Sequence, residues 1–160
     1  MDTRLKSLIA SGLLFLLTSF PVSASTPDEV GQMFHEALQH ANLRVLLIVS
    51  DRPGNSAGGD KLYLNKTQMS IRSDDEVRWT IAHELGHISS QQGSTPEAEL
   101  DADIYAINLL YSMGLGRDRL IKVIDIFNKY IFANAPESDS HPASSRRYKE
   151  SLREINRLTR

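Results

Sequence analysis

His83 and His87 stand four residues apart in the run Ala82-His83-Glu84-Leu85-Gly86-His87. On a helix of about 3.6 residues per turn that spacing puts both imidazoles on one face. A zinc ion there can take both rings at roughly 2.0–2.1 Å. Glu84 projects beside the pair, placed to accept a proton from an attacking water. The chemistry this predicts is metal-assisted hydrolysis, which needs a third protein ligand and one open coordination position. Glu97, Glu99, Asp101 and Asp103 crowd the first turns of a later predicted helix, where acids are favoured by the helix dipole. Glu99 and Asp103 are four apart and share a face, so one could bind the metal while the other supports it from behind. His35 and His40 are five apart, a phase that suits no shared ligand face, and they read as structural.

These side chains need a scaffold of caps and helices. Ser73 and Glu76 form a capping box, which predicts the helix that carries the two histidines. Val77, Ile81, Leu85 and Ile88 make its apolar stripe, and His83 and His87 lie on the adjacent face. Gly86 costs that helix up to about 1 kcal/mol of propensity, which predicts a close neighbour there. Thr95-Pro96 opens the helix of the acids, ended by Gly114, and Thr26-Pro27 opens another over 27 to about 41. Helices are also expected over about 117–133 and from 144 to about 158, with a loop over 134–140 between them. Residues 43–49, 61–65 and 68–71 read as three short strands. Strands among helices without βαβ alternation predict an α+β domain, mainly helical, with a small sheet beside the motif helix.

Arg4 and Lys6 precede an apolar run from Leu8 to Phe20, followed by Pro21 and the small residues Val22-Ser23-Ala24. This predicts a secretory leader over 1–24, cut after Ala24, and a single domain over 25–160 with no integral membrane segment. The expected location is periplasmic or secreted. Losing the leader makes the formal charge of −2 one unit more negative, which argues against nucleic acid as a partner. With no cysteine, the exported chain has neither a disulfide framework nor a thiol to lipidate, so its stability must come from core packing.

The His83-Glu84-Leu85-Gly86-His87 run is the zincin signature. With Glu99-Leu100-Asp101-Ala102-Asp103 it resembles the H-E-x-x-H and E-x-x-A-D pair of the HtpX-like peptidases, metallopeptidase family 48. His141-Pro142-Ala143-Ser144-Ser145-Arg146-Arg147 is similar to that family's H-P-x-x-x-x-R element. Asn55-Ser56-Ala57, ahead of Lys61-Leu62-Tyr63-Leu64, is similar to its N-A-x segment, with Ser56 where the family favours alanine. The resemblance implies a zincin-like fold and one zinc per chain on His83, His87 and Glu99, with Glu84 as general base. Asp103 would then orient a histidine ring, His141 would contact substrate or the oxyanion, and Arg147 would pair with an active-site acid. No hydrophobic membrane helix or helical-repeat extension accompanies the motifs, so a minimal exported endopeptidase acting on envelope polypeptides is expected. Residues 55–60 are the candidate edge for an extended substrate, with Asn55, Ser56 and Ala57 as binding residues, although two glycines also suit a loop. Two rivals stand beside this reading. A regulator-cleaving metallopeptidase type also carries Ala-His-Glu-Leu-Gly-His, but it is generally intracellular. The other is an exported zinc-binding chaperone or assembly factor, its site closed by His141.

Overall fold

The computed structural model describes residues 25–91, 95–131, 136, 138 and 141–160. The leader and its cut after Ala24 lie outside them, as does most of the expected loop over 134–140. The described chain is α+β and mostly helical. Helix α1 spans Pro27–Ala41, and strands β1, β2 and β3 span Leu46–Ser50, Ser56–Gly58 and Lys61–Asn65. The short α2, Lys66–Ser70, is followed by α3, Asp74–Ser90, and α4, Pro96–Ser112. Helix α5, Arg117–Ile126, runs into a π-helical turn at Phe127–Ile131, and α6, Ser144–Leu158, closes the domain. No described helix is long and apolar enough to cross a membrane.

Local chemistry sets the helix starts. Thr26 and Glu29 satisfy each other's backbone N–H groups at the head of α1, at 2.6 and 3.3 Å. The Glu76 carboxylate accepts from the Ser73 N–H at 3.0 Å ahead of α3. Thr95 Oγ1 accepts from Ala98 N at 3.1 Å ahead of α4. Past α4 the chain reverses at Gly114, whose φ of 90° is a backbone state that L side chains rarely adopt.

The sheet has the order β1-β3-β2, with β1 parallel and β2 antiparallel to β3. Tyr63 pairs with Ile48 on one side and with Ser56 on the other. Leu62 and Leu64 turn inward, so the centre strand feeds the core. Residues 68–71 are not the strand expected of them. Asn65 caps a helical turn by accepting from Gln68 N at 2.7 Å, and that turn buries Met69. The third strand is β2 instead, on the stretch left open between edge and loop.

Helix α3 is the centre of the domain, packed against α1, α4, α5 and β2. Val77, Ile81 and Leu85 are fully buried beneath it, in one core with Leu62, Leu64, Ile107 and Ile155. It comes close to α4 at Gly86, where a Cβ would lie 2.8 Å from Ala102 Cα and 3.1 Å from Ala102 O. Gly86 therefore lets the helix of the histidines meet the helix of the acids.

Candidate metal centre

Two adjacent helices bring the motif residues together. His83 and His87, one turn apart on α3, hold their Nε2 atoms 3.2 Å from each other. Glu99 enters from the first turn of α4, with Oε2 at 3.4 Å from His83 Nε2 and Oε1 at 3.4 Å from His87 Nε2. Donors about 2.0–2.1 Å from a tetrahedral zinc stand roughly 3.3 Å apart, which is the spacing found among these three residues. Such a group could hold a metal ion, and two imidazoles with one carboxylate are a donor set that zinc accepts.

Asp103, one turn beyond Glu99 on α4, completes the support. Its Oδ1 lies 3.0 Å from His83 Nδ1. An ionised carboxylate only accepts, so Nδ1 carries a proton, and Nε2 faces the cluster, where loss of its own proton would free a lone pair for a metal. Burial by itself would depress the His83 imidazolium. The hydrogen bonds to Asp103 and Glu99 outweigh that effect and raise the ring to about 9 in the metal-free protein. Asp103 shows the same contest: burial pushes its carboxyl up, while His83 and Arg147 pull it below the usual range. Burial also opposes ionisation of Glu99, and His83 and His87 reverse it, leaving a carboxylate well below the ordinary value.

Arg147 reaches this pair from α6. Its Nε and Nη2 donate to the two oxygens of Asp103, each at 2.6 Å, and its Nη1 lies 3.4 Å from Glu99 Oε2. The guanidinium is buried, and the two carboxylates balance its charge. The expected pairing of Arg147 with a site acid is found, with Asp103 as the principal partner.

Glu84 lines the same cleft and accepts no hydrogen bond from any described residue. Burial pushes its carboxyl up, and His83 and His87 act in the opposite direction. His141 stands at the rim with 56% of its side chain exposed, its Nε2 3.8 Å from Glu99 Oε1. It falls outside the tight donor group of His83, His87 and Glu99. His35 and His40 lie away from the cleft on α1, beside Gln39 and Ser112.

The cleft encloses about 880 Å³, with β2 forming one wall. Ser56 and Ala57 lie on that strand, whose outer edge is unpaired in the sheet. Asn55 also lines the cleft, but its amide is committed elsewhere. It donates to Gln68 Oε1 at 2.9 Å and accepts from Asn65 N at 2.8 Å, which fixes the start of β2. Asn55 thus shapes the wall, while Ser56 and Ala57 present it. Arg72, Trp79, Thr80 and Phe127 line the cleft as well. Trp79 and Thr80 share α3 with the two histidines and were legible beside them from spacing, whereas Arg72 and Phe127 lie outside that helix and were not expected there. Comparison with family models, with curated proteins and with solved structures returns no match to this chain.

Proposed function

We propose that the chain is a zinc-dependent endopeptidase of zincin-like fold, a small exported member of the HtpX-like peptidases that acts on envelope polypeptides. One observation carries this reading. Three metal donors converge at tetrahedral spacing on the floor of an open cleft, with the free carboxylate of Glu84 beside them. His83, His87 and Glu99 would hold the ion. Bound there, zinc lowers the pKa of water toward about 7 and polarises a scissile carbonyl.

The chain's own residues do the rest. Glu84, raised by burial, takes the proton of the attacking water and returns it to the leaving amine. Asp103 holds the His83 ring with its Nε2 directed inward, and Arg147 holds Asp103. His141, exposed at the rim, would donate to a substrate oxygen. An extended substrate adds to the outer edge of β2, through the backbone of Ser56 and Ala57.

A closed structural zinc site is the competing arrangement, and a chelator separates the two. An open catalytic site predicts peptide-library cleavage that stops on chelation, with the fold largely retained. Collapse of the fold on chelation, without cleavage beforehand, would favour the structural site.

A further inference from the structure

We infer that Arg72 selects substrates bearing a carboxylate, either an acidic side chain or a free C-terminus, within two residues of the bond that is cut. This deepens the peptidase reading and rests on it. Arg72 sits between α2 and the cap of α3 and lines the cleft that holds His83 and Glu84. Its Nη1 donates to Thr80 Oγ1 at 2.6 Å, and its guanidinium lies 5.4 Å from the centre of the Phe127 ring. Thr80 is itself fixed, donating to Glu76 O at 2.9 Å. The cation is therefore held in one place by a hydroxyl and an aromatic face.

Among the described residues no carboxylate is paired with it. A guanidinium offers five N–H donors, and among the described residues only Thr80 accepts a side-chain hydrogen bond from Arg72. No carboxylate of the described residues lies within 4 Å of it, and the acid whose field reaches it, Glu76, is engaged by Ser73. Arg147, in the same cleft, has two carboxylates. A half-buried arginine that served only packing would be expected to have such a partner, because burial opposes its charge. Arg72 instead lines the cleft that a substrate would fill, and a carboxylate is the group that pairs with its fork of donors.

Position narrows the choice. Thr80 precedes Glu84 by four residues of helix, a rise of about 6 Å. An extended peptide advances about 3.3 Å per residue, so the recognised carboxylate belongs to one of the two residues on one side of the scissile bond.

The test begins from a peptide that the zinc-loaded protein cleaves. Glutamate is walked through the two positions on each side of the cleaved bond and compared with glutamine, and a short free-acid peptide is compared with its amide. At one position glutamate is expected to raise kcat/KM at least about tenfold, or the free acid to do so, which identifies the source of the carboxylate. Arg72→Gln should bring that ratio to about one, and Arg72→Lys should restore part of it. Should Arg72→Gln fail to fold, Thr80→Val removes the acceptor that orients the guanidinium and should also lower the ratio.

Binding gives a second readout without turnover. Trp79 is the chain's single tryptophan and lines the cleft, so its fluorescence in Glu84→Gln reports peptide affinity. Equal handling of charged and neutral peptides in both assays, or a preference that survives in Arg72→Gln, overturns the inference. Charge-selective binding without cleavage by wild type would keep the carboxylate site and sink the peptidase reading. Cleavage without charge preference would do the reverse.

Discussion

Adding one methyl group at Gly86 tests whether the contact between α3 and α4 sets the metal geometry. In Gly86→Ala the new Cβ would stand 2.8 Å from Ala102 Cα, 3.1 Å from its carbonyl oxygen and 3.2 Å from its Cβ, where ordinary contacts begin at 3.4 Å. Two of those atoms are backbone, so no side chain can rotate away and the helices must part. Alanine in a helix gains about 1 kcal/mol over glycine, while overpacking costs about 1–3 kcal/mol and is greatest against backbone. The expected net loss is roughly 1–2 kcal/mol, a fall of a few degrees in Tm. The separation also moves Glu99 on α4 away from His83 and His87 on α3, so zinc affinity should fall about tenfold or more. Thermal denaturation with and without chelator, together with a competition titration for zinc, reads both effects. Gly31→Ala is the control: in α1 the added Cβ meets nothing within 4 Å, so stability should rise by about 0.5–1 kcal/mol. Shortening Ala102 to glycine beside Gly86→Ala should rescue only in part, because the 2.8 Å clash is with Cα. A Gly86→Ala protein with higher Tm and unchanged zinc affinity would refute the reasoning.

Other perturbations probe the supporting contacts. Asp103→Ala leaves the buried Arg147 without its main partner and removes the acceptor that fixes His83. It should cost about 3–5 kcal/mol in denaturant unfolding and 10–100-fold in zinc affinity. Asn65→Ala removes the cap of α2 and the bond to Arg52 O, and should lower stability by about 1 kcal/mol or more while disordering the β2 wall. The Glu154 carboxyl is held below its ordinary 4.5 by the Arg157 guanidinium, with Asn108 adding to the effect. Because its folded value is the lower one, this contribution is present above about pH 4.5 and lost as pH falls through the folded value. The melting temperature of Glu154→Gln should therefore decline less steeply than that of wild type between about pH 5 and 3.

The helices were legible because their start signals are local. Thr26 with Glu29, Ser73 with Glu76, and Thr95 with Pro96 each satisfy backbone groups within one turn, so neighbouring residues suffice to read them. The i, i+4 spacings of His83 with His87 and of Glu99 with Asp103 were legible for the same reason. The strands were harder. Ser56–Gly58 has no apolar alternation and is a strand only because β3 pairs with it. The run over 68–71 is too short for its periodicity to mean anything, and the cap of Asn65, itself bonded to Asn55 ten residues upstream, makes it helical. Arg72 could not be read as a cleft residue, since Thr80 and Phe127, which position it, come from other elements.

In the proposed reaction Glu84 moves the proton, in a site whose metal would be held by other residues. Zinc content and cleavage-site profiling of the wild type against Glu84→Gln test this step. One zinc per chain is expected in both proteins, with a loss of cleavage by a factor of about 10² or more in the variant. Undiminished cleavage by Glu84→Gln, or wild-type protein that binds no zinc, would contradict it.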